Sequence, residues 1–139
     1  MLSEYHIRYG GYGGIAYHHV SDTYIALFSH FIACGVWEAI YIIDGMLKNT
    51  SDIQPDTVVS DTQGQSTPVF GLAHLLGIKL MPRIRNWKDL IFYRPSKEAR
   101  YQHLMPLFNK GYIDWTLIET HWQDMMQVVL SIKAGKVLP

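Results

Sequence analysis

The sequence predicts a mixed α/β fold, and three observations carry that prediction. The β-branched run Thr57-Val58-Val59-Ser60 ends in Asp61, passes through the small polar stretch Thr62-Gln63-Gly64-Gln65-Ser66, and resumes as an apolar segment opened by Pro68. That is the order of a strand, a turn and a helix. Upstream, a segment rich in Tyr and Gly places aromatic residues with the period of two that a strand requires. Between these segments, Val36, Ile40, Ile43 and Leu47 recur at spacings of three and four, the pattern of an amphipathic helix.

The elements follow in order. Residues 5–17 read as a strand, with Gly10, Gly11, Gly13 and Gly14 marking bends or close backbone approach. Residues 23–33 are a second strand, and His18 to Asp22 the turn that joins the two as an antiparallel hairpin. A helix over 36–48 and a polar loop over 49–56, containing Pro55, lead to the strand that ends at Asp61. Residues 67–76 form a short helix closed by Gly77. A strand follows over 78–84, ending near Pro82; if it runs on to Arg85, alternation puts Arg83 and Arg85 on one face. Residues 97–109 and 114–133 read as two helices, the second with Trp115, Ile118, Trp122, Met126 and Val129 on one stripe. There are no internal repeats and no low-complexity segment.

Composition narrows the function classes. The 139 residues suit one domain with a sizeable core, since 48% are apolar and only 17% charged. No apolar run approaches the roughly 20 residues that span a bilayer, and no secretory signal is visible at the N-terminus. Cys34 is the only cysteine, which excludes an internal disulfide and a cysteine zinc site and fits a cytoplasmic location. The net charge of zero hides an uneven spread. Residues 1–78 hold seven acids against Arg8 and Lys48, whereas residues 79–100 hold seven basic groups against Asp89 and Glu98. Such a segment is either solvated surface or a phosphate-binding patch, and the interleaved Trp87 and Tyr93 could stack on unpaired bases.

Asp61 is the leading site residue. A carboxylate at the carboxyl end of a strand lies where open α/β sheets place their chemistry; the competing reading is a turn or helix-capping Asp. Asp22 belongs to a turn and Glu119 to a solvated helix face. His18 and His19 are adjacent, so they point to opposite faces of a strand and suit a turn or surface role better than joint metal ligation. Arg83, Arg85 and Lys88 are either phosphate contacts or partners of Asp89 and Glu98.

Ser60-Asp61-Thr62-Gln63-Gly64-Gln65-Ser66-Thr67-Pro68-Val69-Phe70, with Leu75-Leu76-Gly77-Ile78 and Met81-Pro82-Arg83-Ile84-Arg85-Asn86, resembles the catalytic domain of the Tn-three-type transposases. These are replicative, cointegrate-forming bacterial enzymes. Gly10-Gly11-Tyr12-Gly13-Gly14, His19-Val20-Ser21-Asp22, Leu47-Lys48-Asn49 and Ile118-Glu119-Thr120-His121-Trp122-Gln123-Asp124 also fit, so the resemblance covers essentially the whole chain.

The resemblance implies an RNase H-like fold with two Asp and one Glu as ligands of Mg2+ or Mn2+. Asp61 matches the second Asp; the first is expected before Met1 and the Glu after Pro139. The expected product is therefore a partial RNase H-like core over residues 1–96, lacking the first strand and the final catalytic helix, with helices of an insertion over 97–139. The function implied is cleavage of transposon ends and joining of the 3′-hydroxyl to target DNA. Asp61 would hold metal, and Arg83, Arg85 and Lys88 would hold backbone phosphate. The chain by itself is expected to be inactive, and the alternative is a truncated product that only binds DNA weakly or self-associates. The first strand of an RNase H-like sheet is central. Its loss predicts a gap between the hairpin and the Asp61 strand, direct pairing of the two, or a second chain between them, with self-association expected in solution.

Overall fold

The computed structural model describes residues 3–139. Among these residues, three small sheets and three α-helices make a mixed α/β arrangement. Strands β1 (Glu4–His6), β2 (Gly11–Val20) and β3 (Ala26–Ala33) form an antiparallel sheet in the order β1-β2-β3. Helix α1 (Ala39–Leu47) follows, then β4 (Thr57–Ser60), α2 (Thr67–Leu75) and β5 (Lys79–Pro82), with β4 and β5 paired in parallel. Strands β6 (Phe92–Arg94) and β7 (Phe108–Tyr112) make a second parallel pair, and α3 (Trp115–Lys133) ends the fold.

The β4-α2-β5 unit forms where its local signals lie. Pro68 sits in the first turn of α2, where its missing N–H costs no helical bond. Gly77 takes φ +80°, and the Ile78 and Gly77 amides donate to the Ala73 and His74 carbonyls at 2.9 and 3.1 Å. That pairing closes a helix through a left-handed glycine. The core assembles here: Ala39 and Ile43 of α1 meet Val69 and Ala73 of α2, with Leu72, Leu76, Ile78 and Leu80 packed around them.

Several expectations are corrected. The hairpin turn lies at 21–25 rather than 18–22, because the Ser21 hydroxyl accepts from the Ile25 amide at 3.1 Å and meets the Thr23 hydroxyl at 2.8 Å. The strand expected over 5–17 is two strands, folded back at Gly10, which takes φ +64°. On α1 the buried face is Ala39, Ile42 and Ile43, while Val36 and Leu47 are exposed. Residues 97–109 are not a helix: they contain a short 3-10 turn (Met105–Leu107) and the start of β7. Pro106 removes a backbone donor, so an α-helix running through it would lose a bond. The structure therefore has one C-terminal helix in place of two. Among the described residues the hairpin sheet and the β4-β5 pair are separate sheets, so the two are not directly paired.

His19 is neither in a turn nor at the surface, whereas His18 is exposed. The His19 ring packs between β2 and α1, with Nε2 3.4 Å from the Ile42 carbonyl and the ring closing on Gly45. Tyr17, Phe28 and His30 surround it from the sheet, and Asp44 faces it from α1. Burial lowers its pKa below 6.5, and His30 lowers it further, against the opposing pull of the Ile42 carbonyl and Asp44. The unfolded chain therefore binds a proton below pH 6.5 that the folded chain refuses. Stability should fall as pH drops through that window, and the fall should be smaller in His19→Leu. Thermal midpoints at pH 7.5 and pH 5 for both proteins check this; equal falls would remove His19 as the cause.

Candidate active site

Asp61 stands directly after β4, at the carboxyl end of the parallel pair. Its Oδ1 accepts from the Gln63 amide at 2.9 Å, so it caps a 3-10 turn over Thr62–Gly64. The capping and site readings are thus compatible: one carboxylate oxygen holds the turn and the exposed side chain leaves the other to solvent. The turn can lie this close to the strand end because Gly64 has no side chain. A Cβ there would strike the Ser60 hydroxyl, with Pro82 Cβ at 3.1 Å and Ile42 Cδ1 at 3.2 Å.

Two groups that sequence reasoning missed share the field of Asp61. Glu38, just ahead of α1, has its pKa pushed up by burial and then by the Asp61 carboxylate, against the opposing pull of His6. Tyr17 on β2 is pushed up to about 12 by burial, then by Asp61 and Glu38. Nothing local distinguishes Glu38 from any acid before a helix; only the fold brings β2, α1 and the β4 end together. Glu38 and Gln63 also line a cleft of about 450 Å³ with Tyr5, His6, Arg8 and Trp37.

The basic candidates lie on the other side of the turn. Arg83, Arg85 and Lys88 are exposed, and among the described residues none forms an ion pair, with Asp89 or Glu98 included. Strand β5 ends at Pro82, so strand alternation does not extend to Arg85. The Arg83 amide still donates to the Ser60 carbonyl at 2.9 Å, and the Arg85 amide donates to Gln65 Oε1 at 3.0 Å. Arg85, Asn86 and Asp89 face Thr62, Gln63 and Gln65 across a cleft of about 320 Å³, which brings Arg85 beside the Asp61 turn. Arg94, counted in the same basic segment, is buried and donates to the Lys97 and Lys110 carbonyls, so it holds the fold instead. Lys79 is spoken for by Asp56 at 3.4 Å.

Residues 1–139 match the Tn3 transposase DDE domain. The chain belongs to this family. It is 32% identical over 131 residues to the transposase for transposon Tn3926 of Escherichia coli, and 34% identical over 131 residues to that for Tn501 of Pseudomonas aeruginosa. It is 33% identical over 132 residues to the transposase for transposon gamma-delta of Escherichia coli strain K12. Each match takes in 94% of this chain but only 13% of the relative, so the chain spans about an eighth of the length of these curated relatives. No solved structure matches it.

The DDE family implies divalent-metal chemistry. Asp61 offers a hard carboxylate oxygen of the kind magnesium prefers. Among the described residues, however, no group of three or more His, Cys, Asp or Glu could hold a metal ion. The residues present therefore do not fit a metal centre by themselves. Nor is any helix among them long and apolar enough to cross a membrane.

Proposed function

We propose that this chain supplies one carboxylate and an adjoining phosphate-contact surface to a DNA transposase active site. In the whole enzyme that site cleaves transposon ends and joins the freed 3′-hydroxyl to target DNA, with Mg2+ or Mn2+ as the metal and a cytoplasmic setting. The reading rests most on one observation: Asp61 stands at the carboxyl end of a parallel strand with a carboxylate oxygen left to solvent, in a chain of the DDE family. The whole enzyme's metal requires further acids besides Asp61. We take residues 1–96 as a partial RNase H-like core and 97–139 as an insertion segment. Support for the core comes from the order hairpin, helix, strand, helix, strand. Arg85 beside the Asp61 turn, with Arg83 and Lys88 exposed next to it, suits contact with the DNA backbone.

Replacing the hard ligand by a soft one tests the metal role. In the full-length transposase, Asp61→Cys should lose strand cleavage in Mg2+ and recover part of it in Mn2+, which accepts thiolate more readily. Equal activity in both metals, at the wild-type level, would place Asp61 outside the metal site. Equal loss in both, with unchanged DNA binding, would contradict direct metal coordination by Asp61.

A further inference from the structure

Helix α3 carries an apolar arc wider than the part of it that the fold covers. Val129 and Ile132 are buried, with Ile118 and Met125 half-buried beside them. Along one edge of that face, Trp122, the half-buried Met126 and Leu130 follow one another at intervals of four. Trp122 is 48% exposed and Leu130 58%, and with Gln123 and Gln127 they line an open groove of about 610 Å³. Glu119 precedes the stripe and Lys133 follows it, both exposed and both on the same side of the helix.

These five positions are symmetric about Met126. Trp122 and Leu130 lie four residues to either side of it, and Glu119 and Lys133 lie seven. Seven residues are close to two helical turns, so the charged pair returns to the azimuth of Met126 within about 20°. A second copy of the helix laid antiparallel, with the two-fold axis at Met126, sets Trp122 against Leu130 and Glu119 against Lys133, each twice. A parallel copy would set Glu119 on Glu119 and Lys133 on Lys133. Apolar residues in the middle, neutral Gln beside them and opposite charges at the two ends are what a self-complementary surface requires.

We propose that this stripe of α3 is a homotypic docking surface, on which a second copy of the chain packs its own α3 antiparallel about Met126. The proposal does not depend on the transposase reading, since only the helix enters it. It also differs from strand addition at the open sheet edges, which lie elsewhere in the fold. The two helices would bury Trp122 and Leu130, and the charge pairs would select orientation more than strength.

Sedimentation equilibrium of the chain over a range of concentrations tests it, with circular dichroism confirming an unchanged helix in every variant. Glu119→Lys and Lys133→Glu each create two like-charge contacts per dimer and should each weaken association about tenfold. The double variant Glu119→Lys/Lys133→Glu restores opposite pairs with signs exchanged, and its dissociation constant should return to that of the wild type. Trp122→Ala should weaken association, whereas Leu117→Ala, also exposed but on the opposite face, should not. A monomer at every concentration would overturn the proposal. So would association that ignores the single charge reversals, which would move the contact to the sheet edges, or single losses that the double variant does not repair.

Discussion

Asp61→Ala in the full-length transposase should abolish both cleavage of transposon ends and strand transfer while leaving end binding within a few-fold of wild type. Loss of a group that stabilises charge in the transition state costs about three orders of magnitude, and a carboxylate that helps hold a divalent ion is such a group. The substitution also removes the acceptor of the 2.9 Å bond from the Gln63 amide. A cap of this kind contributes about 1 kcal/mol, so a modest stability loss accompanies the inactivation and needs to be separated from it. Asp61→Asn separates them, because its amide oxygen can still accept from Gln63 while its charge is gone. Asn and Ala should therefore be equally inactive, with Asn the more stable. An active Asn variant would show that Asp61 serves the turn. The isolated chain should not nick transposon-end DNA in Mg2+ or Mn2+, because no further acids complete a metal site among the described residues; nicking that vanishes in Asp61→Ala would contradict this.

The sequence carried the β4-α2-β5 unit well because each of its boundaries has a local cause. The β-branched run makes the strand, Pro68 starts the helix and Gly77 ends it in the left-handed region. Elements whose cause is non-local were read less well. Phe92-Tyr93-Arg94 becomes a strand only by pairing with residues 108–112, and Arg94 is anchored by the Lys97 and Lys110 carbonyls, so its charge could not be told from that of its exposed neighbours. The face of α1 is set by Val69 and Ala73 on one side and His19 on another, which rotates the buried stripe from the one that spacing suggested. The site follows the same rule. Asp61 was legible from its own strand, but its effect on Glu38 and Tyr17 exists only once three elements converge.

Binding of the chain to duplex DNA should be weak, indifferent to sequence and steeply salt-dependent. The attraction comes from cations that displace condensed counterions, and each phosphate contact contributes about −0.9 to the slope of log affinity against log salt. Arg83, Arg85 and Lys88 are exposed without ion-pair partners among the described residues, so none must give up an internal partner to reach a phosphate. Three such contacts give a slope near −2.7, or a loss of roughly fortyfold between 50 and 200 mM salt. The triple variant Arg83→Ala/Arg85→Ala/Lys88→Ala should bind more weakly at low salt and lose most of that slope. Its fold should survive, because the bonds made here run through the Arg83 and Arg85 backbone amides and not through the removed side chains. Lys136→Ala, an exposed cation outside the segment, controls for net charge. Affinity that ignores salt, or a triple variant that binds as well as its parent, would take residues 83–88 out of the contact surface and leave Asp61 without the neighbouring phosphate grip that the proposed function gives it.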